Sequence, residues 1–124
     1  MTSSGSLVVV TFKIQASPGK QQELLQALDE LRPVIGSEVG CRQVTVSQPK
    51  SQKDRVIVNE KWATHKDALR HFRSEPFLVL RGATSVLAQS LKMTISIELQ
   101  TTSVDLKSLK SRKGIYLWAA QTLS

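Results

Sequence analysis

The chain has 124 residues, 40% of them apolar, which is enough for one modest hydrophobic core and predicts a single domain. Its single cysteine, Cys41, excludes an internal disulfide, and no Cys/His cluster indicates structural zinc, so we expect a reducing environment and an inert, buried thiol. The net charge of +7 is spread along the chain, and its densest stretch, residues 107–113, is typical of a solvated segment.

The first half of the chain predicts a strand, a helix and a second strand. Residues 1–6 lack a basic residue and lead into a short apolar run, so we expect a flexible N-terminus without a signal peptide, on a soluble, cytoplasmic protein. Alternation predicts a strand over residues 7–15, with these residues on its buried face: Val8, Val10, Phe12 and Ile14. Ser17 and Pro18 are typical of a helix start. Apolar residues then recur at helical spacing: Leu24, Leu28, Leu31 and Ile35. A glycine-bracketed turn leads to a second strand over residues 41–47.

The second half predicts two more strands and a helix that is interrupted once. A polar connection leads to a strand over residues 55–62. A capping-box sequence then starts a helix at His65, and a Ser-Glu-Pro sequence interrupts it. Helical spacing resumes from residue 77 to about residue 90, and strict alternation returns in a strand over residues 92–100.

This order of elements, β-α-β-β-α-β, is that of a ferredoxin-like α+β domain with an antiparallel four-stranded sheet and helices on one face. Apolar residues also occur on the other face, at Val9 and Ile57, so we expect that face to be covered. RNA-recognition domains of the same order stack bases on sheet aromatics. Here the third strand offers only Trp62 and the first only Phe12, so we expect no specific nucleic-acid partner.

Three stretches carry a resemblance to a known family: the first strand with its Pro-Gly-Lys turn, the Gly40-Cys41 entry to the second strand, and Asn-Glu-Lys-Trp at 59–62 leading to Ala-Leu-Arg-His-Phe-Arg-Ser at 68–74. Together they resemble the antibiotic biosynthesis monooxygenases and their quinol-oxidising relatives over residues 7–100. The resemblance implies a homodimeric α/β barrel in which two sheets pack face to face. It also implies oxygenation of a phenolic or quinol-type small aromatic molecule without metal, flavin or other cofactor.

In such chemistry the substrate is the reductant, and the protein supplies a dry pocket, an aromatic wall and a hydrogen bond to the substrate anion. The resemblance implies a catalytic role for Trp62, and His71 is a second catalytic candidate because the ordinary pKa of histidine lies near neutrality. Asn59 is a third, although it lies one residue out of register with the family's asparagine and should point away from Trp62. Substrate-binding positions would be Phe12, Glu60, Phe72 and Phe77. No metal site is expected, because His65 and His71 lie six residues apart and cannot chelate from one helix face.

Each of these residues also has a structural interpretation. Trp62, like Phe72 and Phe77, could simply fill the core. Glu60 could act as a base if buried, or pair with a neighbouring strand. His71 could donate to a substrate oxygen, or be an ordinary exposed helix residue. The alternative function is therefore a non-catalytic dimeric small-molecule-binding or stress-related module of the same fold.

Residues 101–124 predict a basic linker followed by an apolar C-terminal tail. Residues 114–123 are too apolar to remain in water and too short to span a membrane. We expect them to dock on protein and not on a membrane surface. Tyr116 and Trp118 share a strand parity, which favours an extended segment lying across a partner subunit.

Overall fold

The computed structural model describes residues 7–97, 100–107 and 112–123 of the chain. Residues 1–6, for which the sequence predicts a flexible N-terminus, lie outside these ranges. Four helices and five strands occur in the described ranges, in this order: β1 (Val8–Ala16), α1 (Gln21–Gly36), β2 (Cys41–Ser47), β3 (Arg55–Trp62), α2 (His65–His71), α3 (Glu75–Leu87), β4 (Ala88–Ile97), β5 (Gln100–Asp105) and α4 (Arg112–Leu123).

The strands form one antiparallel sheet in the order β2-β3-β1-β4-β5. The predicted α+β ferredoxin-like fold is confirmed, but the predicted four-stranded sheet is wrong, because β5 adds a fifth strand beside β4. Its sequence, QTTSVD, contains one apolar residue, Val104, which pairs with Met93. A polar edge strand of this kind carries almost no hydrophobic periodicity, so the sequence did not reveal it.

The second helical region contains two separate helices, each with its own cap. The Thr64 side chain accepts from the Asp67 backbone N–H at the start of α2, and the Ser74 side chain accepts from the Phe77 N–H at the start of α3. The sequence predicted that helical structure continues to about residue 90 and that the last strand starts at residue 92. Both boundaries are wrong, because β4 already begins at Ala88.

The C-terminal segment is a helix, and the predicted extended conformation is wrong. Ile115, Ala119 and Leu123 recur every four residues and are buried, which is a helical stripe that the strand parity of Tyr116 and Trp118 concealed. The helix α4 docks on α2 of the same chain, where His65 Nδ1 lies 2.9 Å from the Leu123 carbonyl oxygen.

The hydrophobic core lies between the helices and one face of the sheet, to which alternate residues of β1, β3 and β4 contribute. On the opposite face, Val9 and Ile57 are half-buried, and most of their described neighbours are polar. The cover expected over this face stays a prediction. Gly40, at the entry to β2, has a φ of +84°, and a Cβ there would overlap the Asp67 carboxyl group. A glycine at this position therefore lets the loop before β2 approach the start of α2.

Candidate functional site

The C-terminal end of β3 places two side chains that carry polar groups, Glu60 and Trp62, inside the core. Glu60 and Trp62 are two residues apart, so the pleat of the strand directs both toward the helices, and neither side chain is exposed to solvent. Trp62 Nε1 donates a hydrogen bond to Glu60 Oε1 at 3.0 Å. The indole therefore has its polar partner within the same strand, as a buried tryptophan requires.

His71, the last residue of α2, completes the site. It is fully buried, so the interpretation of His71 as an exposed helix residue is wrong. Its Nδ1 lies 2.9 Å from Glu38 Oε2, and its Nε2 lies 3.2 Å from Glu60 Oε2. Glu38, His71 and Glu60 are called the carboxylate–histidine triad below.

The two contacts of His71 differ in quality. The contact with Glu38 is a hydrogen bond. The contact with Glu60 is close enough for an ion pair, but its geometry is not that of a hydrogen bond, so Glu60 Oε2 and His71 Nε2 are both buried without a hydrogen-bond partner. Buried polar atoms without a hydrogen bond are rare in folded proteins, so these two atoms are candidates for a contact with a further group.

The triad holds His71 as an imidazolium ion. Burial lowers the pKa of His71, but the negative charge of Glu60, the hydrogen bond to Glu38 and the contact with Glu60 together raise that pKa to about 9. At neutral pH the buried site therefore contains a cation between two carboxyl groups. Burying an ion costs several kcal/mol unless its partners compensate. The triad therefore lowers the free energy of unfolding unless its own contacts offset that cost.

Aromatic rings surround the imidazole. Trp62 stacks on it with ring centroids 4.6 Å apart and an interplanar angle of 27°. Phe72 and Phe77 lie 5.7 and 5.5 Å from it, and Phe12 lies 6.2 Å from Phe77. We call Trp62, Phe72 and Phe77 the aromatic cage. All are fully buried, so the core interpretation of these residues is correct, and the same packing places them against His71.

Asn59, a predicted catalytic residue, does not lie beside the triad. It lies on the opposite face of β3, between Thr11 of β1 and Thr45 of β2. The parity argument predicted this direction, and no bulge in the pairing of β3 with β1 reverses it. Its Oδ1 is buried without a hydrogen-bond donor.

Glu38 is the residue that the sequence did not reveal. It lies in the loop between α1 and β2, 33 residues from His71, and belongs to no periodic pattern. Its nearest signal is Gly40, whose positive φ indicates a tight entry to β2. Beside it, burial and the charges of Glu60 and Glu38 raise the pKa of the Cys41 thiol to about 11, which supports the predicted inert thiol. Cys41 is only half-buried, so the predicted burial is wrong.

Within residues 7–97, 100–107 and 112–123, the side chains do not form a group of three or more histidine, cysteine, aspartate or glutamate residues that could hold a metal ion. In the same ranges, every helix is too short or too polar to cross a lipid bilayer.

This architecture is similar to that of known proteins. A profile of the antibiotic biosynthesis monooxygenase family matches residues 7–82. A search of curated proteins finds no match. Among solved structures, PA3566 from Pseudomonas aeruginosa is similar at 23% identity, with a TM-score of 0.71 over 80% of this chain and 100% of that protein.

Two further structures show the same fold. Rv0793 from Mycobacterium tuberculosis is 20% identical, with a TM-score of 0.69 over 77% of this chain and 97% of its own. A Nitrosomonas europaea protein, provisionally named an antibiotic biosynthesis monooxygenase, is 19% identical, with a TM-score of 0.70 over 80% of this chain and 96% of its own. At these identities the likeness concerns the fold.

Proposed function

Because the chain belongs to the antibiotic biosynthesis monooxygenase family, we propose that it is a cofactor-independent monooxygenase acting on an aromatic, phenolic or quinol-type small molecule. The observation that carries the proposal is the buried imidazolium of His71, held by two carboxyl groups and enclosed by aromatic rings. A dry, preorganised charge of this kind can stabilise a substrate anion far better than water can.

The protonation state assigns different roles to the members of the triad. An imidazolium cannot accept a proton, so in the proposed reaction His71 is the donor, and its Nε2–H, which lies beside Glu60 Oε2 without a hydrogen bond, would donate to the phenolic oxygen of the substrate. Glu60, whose Oε2 also lacks a hydrogen bond, is the acceptor of the phenolic proton. Trp62 fixes the other Glu60 oxygen and supplies a flat wall for the substrate ring.

The reaction balances with dioxygen as the only co-substrate. The phenolate, stabilised by His71, transfers electrons to dioxygen, and a ring carbon then forms a bond to one oxygen atom. The O–O bond breaks, and the second oxygen atom leaves as water with the phenolic hydrogen and the hydrogen of the attacked carbon. A phenol and dioxygen thus give a quinone and water.

Oxygen consumption tests the proposal. With anthrone- and quinol-type compounds we expect turnover that persists after treatment with a chelator. Trp62→Ala and His71→Gln should lower turnover by about 10²- to 10⁴-fold, the range of a positioned proton donor, while Trp118→Phe on α4 serves as the matched tryptophan control. Turnover that is sensitive to the chelator, or indifferent to Trp62 and His71, would contradict the mechanism.

The closed packing of the site favours a second candidate, a non-catalytic binding or stress-related module. Trp62, Glu60 and His71 have no solvent-exposed surface, so a substrate can reach them only if the cage opens. Tight binding of aromatic compounds without any oxygen consumption would support this candidate over the monooxygenase.

We also propose a homodimer in which the open faces of two sheets pack together. The half-buried Val9 and Ile57 and the unsatisfied Asn59 Oδ1 on that face support it, because a second copy could cover the apolar atoms and donate to the amide oxygen. Light scattering at micromolar concentration should show twice the chain mass of 13.7 kDa. A stable monomer would overturn this assembly.

A further inference from the structure

We propose that the ligand of this protein carries an anionic group, such as a carboxylate, which binds in the basic cavity between α2 and α4 while its aromatic part packs on Tyr116 and Leu117. The inference rests on the proposed function for the view that this ligand is the substrate. The ligand class is inferred from the cavity, from its positive charge and from its position beside the aromatic cage.

The cavity has a volume of about 320 Å³ and is lined by two cations and three apolar or aromatic residues: Phe72, Arg73, Lys113, Tyr116 and Leu117. This volume lies at the lower end of the range for small-molecule sites. Phe72 alone belongs both to this wall and to the aromatic cage around His71. Its ring is fully buried and contacts His71, so Phe72 lies at the border between the cavity and the triad.

An adjoining cavity of about 430 Å³ shares Arg73 and Tyr116 with the first and adds two more cations, Lys66 and Arg70. Four cationic side chains therefore converge on one surface. The nearby Asp67 pairs with Arg70 through a 2.9 Å contact. Among the residues that the structure describes, Lys66, Arg73 and Lys113 have no carboxylate partner. The surface therefore keeps an uncompensated positive charge that an anion can neutralise.

Arg73 is oriented for this role. Its guanidinium carbon lies 5.1 Å from the centroid of the Tyr116 ring, so the ring supports the planar group from one side. Arginine binds carboxylate and phosphate oxygens through two parallel N–H donors, and a stacked guanidinium keeps that edge fixed. The flanking Tyr116 and Leu117 side chains offer apolar surface for an aromatic body.

Helix α4 forms one wall of the cavity and lies outside the part of the chain that the family profile matches. The family profile ends at residue 82, whereas Lys113, Tyr116 and Leu117 lie on α4. The cavity therefore does not follow from family membership, and it adds a charge preference to the phenolic or quinol-type class already proposed. The predicted ligand is an anionic phenol whose charged group lies at Arg73 and whose ring faces the triad.

The test compares two probes on the full-length chain, 1-hydroxy-2-naphthoate and the neutral 1-naphthol, by isothermal titration calorimetry. We expect the anionic probe to bind about tenfold more tightly or better, and Arg73→Gln or Lys113→Gln to weaken it by about tenfold, the effect of losing one charge-assisted hydrogen bond. Neither substitution should change the binding of 1-naphthol. Arg73→Lys should recover part of the affinity.

Arg42→Gln is the matched control, because Arg42 is an exposed arginine on β2 and its loss changes the net charge equally. Equal binding of both probes, no binding of either, or an equal effect of Arg42→Gln and Arg73→Gln would overturn the inference. Oxygen consumption is a separate readout. If the anionic probe binds in an Arg73-dependent way without being oxidised, the ligand class stands and the monooxygenase proposal fails.

Discussion

From the carboxylate–histidine triad, we predict that the free energy of unfolding of this protein falls as the pH rises from neutrality to about 10. The pKa of His71 is raised from 6.5 to about 9 in the folded chain. A group whose pKa is higher in the folded state contributes its full stabilisation below the unfolded pKa and loses it as the pH rises through the folded pKa. The affected window therefore runs from about pH 6.5 to just above pH 9.

The expected loss is large for a domain of this size. The difference between the folded and unfolded pKa values corresponds to on the order of 3 kcal/mol. His71 is fully buried, so solvent does not screen its contacts with Glu38 and Glu60 as it would at the surface. A domain has a typical free energy of unfolding of about 5–15 kcal/mol, so this one group would account for a substantial share.

Urea unfolding at closely spaced pH values between 6 and 10 measures the effect, with the far-ultraviolet circular dichroism signal as the readout. In His71→Gln the decline between pH 6.5 and 9 should be absent, and the protein should be less stable at pH 7, because Glu60 then stays buried without its cation. His65→Gln is the matched control and should keep the wild-type pH dependence. A flat wild-type profile, or the same decline in His71→Gln, would refute the electrostatic reasoning.

Three further predictions concern the cage, the C-terminal helix and the turn before β2. In a Trp118→Phe background, the fluorescence of Trp62 should increase as the pH passes about 9, because an imidazolium quenches a stacked indole, and His71→Gln should abolish the change. Deleting residues 114–124 should lower the free energy of unfolding by about 3–6 kcal/mol, because the stabilisation from burying Ile115 and Leu123 is lost, and a truncated chain with an unchanged melting temperature would contradict the docking of α4. Gly40→Ala should lower the midpoint of urea unfolding because of its positive φ and the overlap with Asp67, whereas Gly82→Ala, with open space at its Cβ, should leave the midpoint unchanged or raise it.

The parts of the fold that the sequence predicted are those with strong periodicity. Alternation in β1 and β3 and the leucine stripe of α1 locate the core face correctly, and the same parity places Glu60 beside Trp62 and Asn59 opposite. The prediction of secondary structure failed where helical and strand periodicity fit the same residues. Leu87 and Leu91 have helical spacing, yet Leu91 is in β4, because sheet pairing with Ile14 overrides the local pattern.

The site was only partly predictable for a related physical reason. His71 and Trp62 could be identified as candidates, but burial of a histidine depends on charges that arrive from elsewhere in the chain. Glu38 reaches His71 across 33 residues, and neither composition nor spacing reports a contact of that kind. The cavity at α4 was missed because Lys113, Tyr116 and Leu117 of the tail acquire their role only when the helix docks on α2.

The surroundings of His71 support the direction of proton transfer proposed for the triad. The carboxyl groups of Glu38 and Glu60 favour a positive charge on its imidazole, and so does the face of the Trp62 ring. Both features oppose deprotonation of His71 at neutral pH. In the proposed reaction, a phenolic substrate therefore loses its proton to a carboxylate, and the imidazolium stabilises the anion that results. Glu60→Gln would keep a hydrogen-bond acceptor for Trp62 but remove the proton acceptor. We expect it to lower the turnover number of an anionic phenol and to leave its dissociation constant at the Arg73 cavity unchanged.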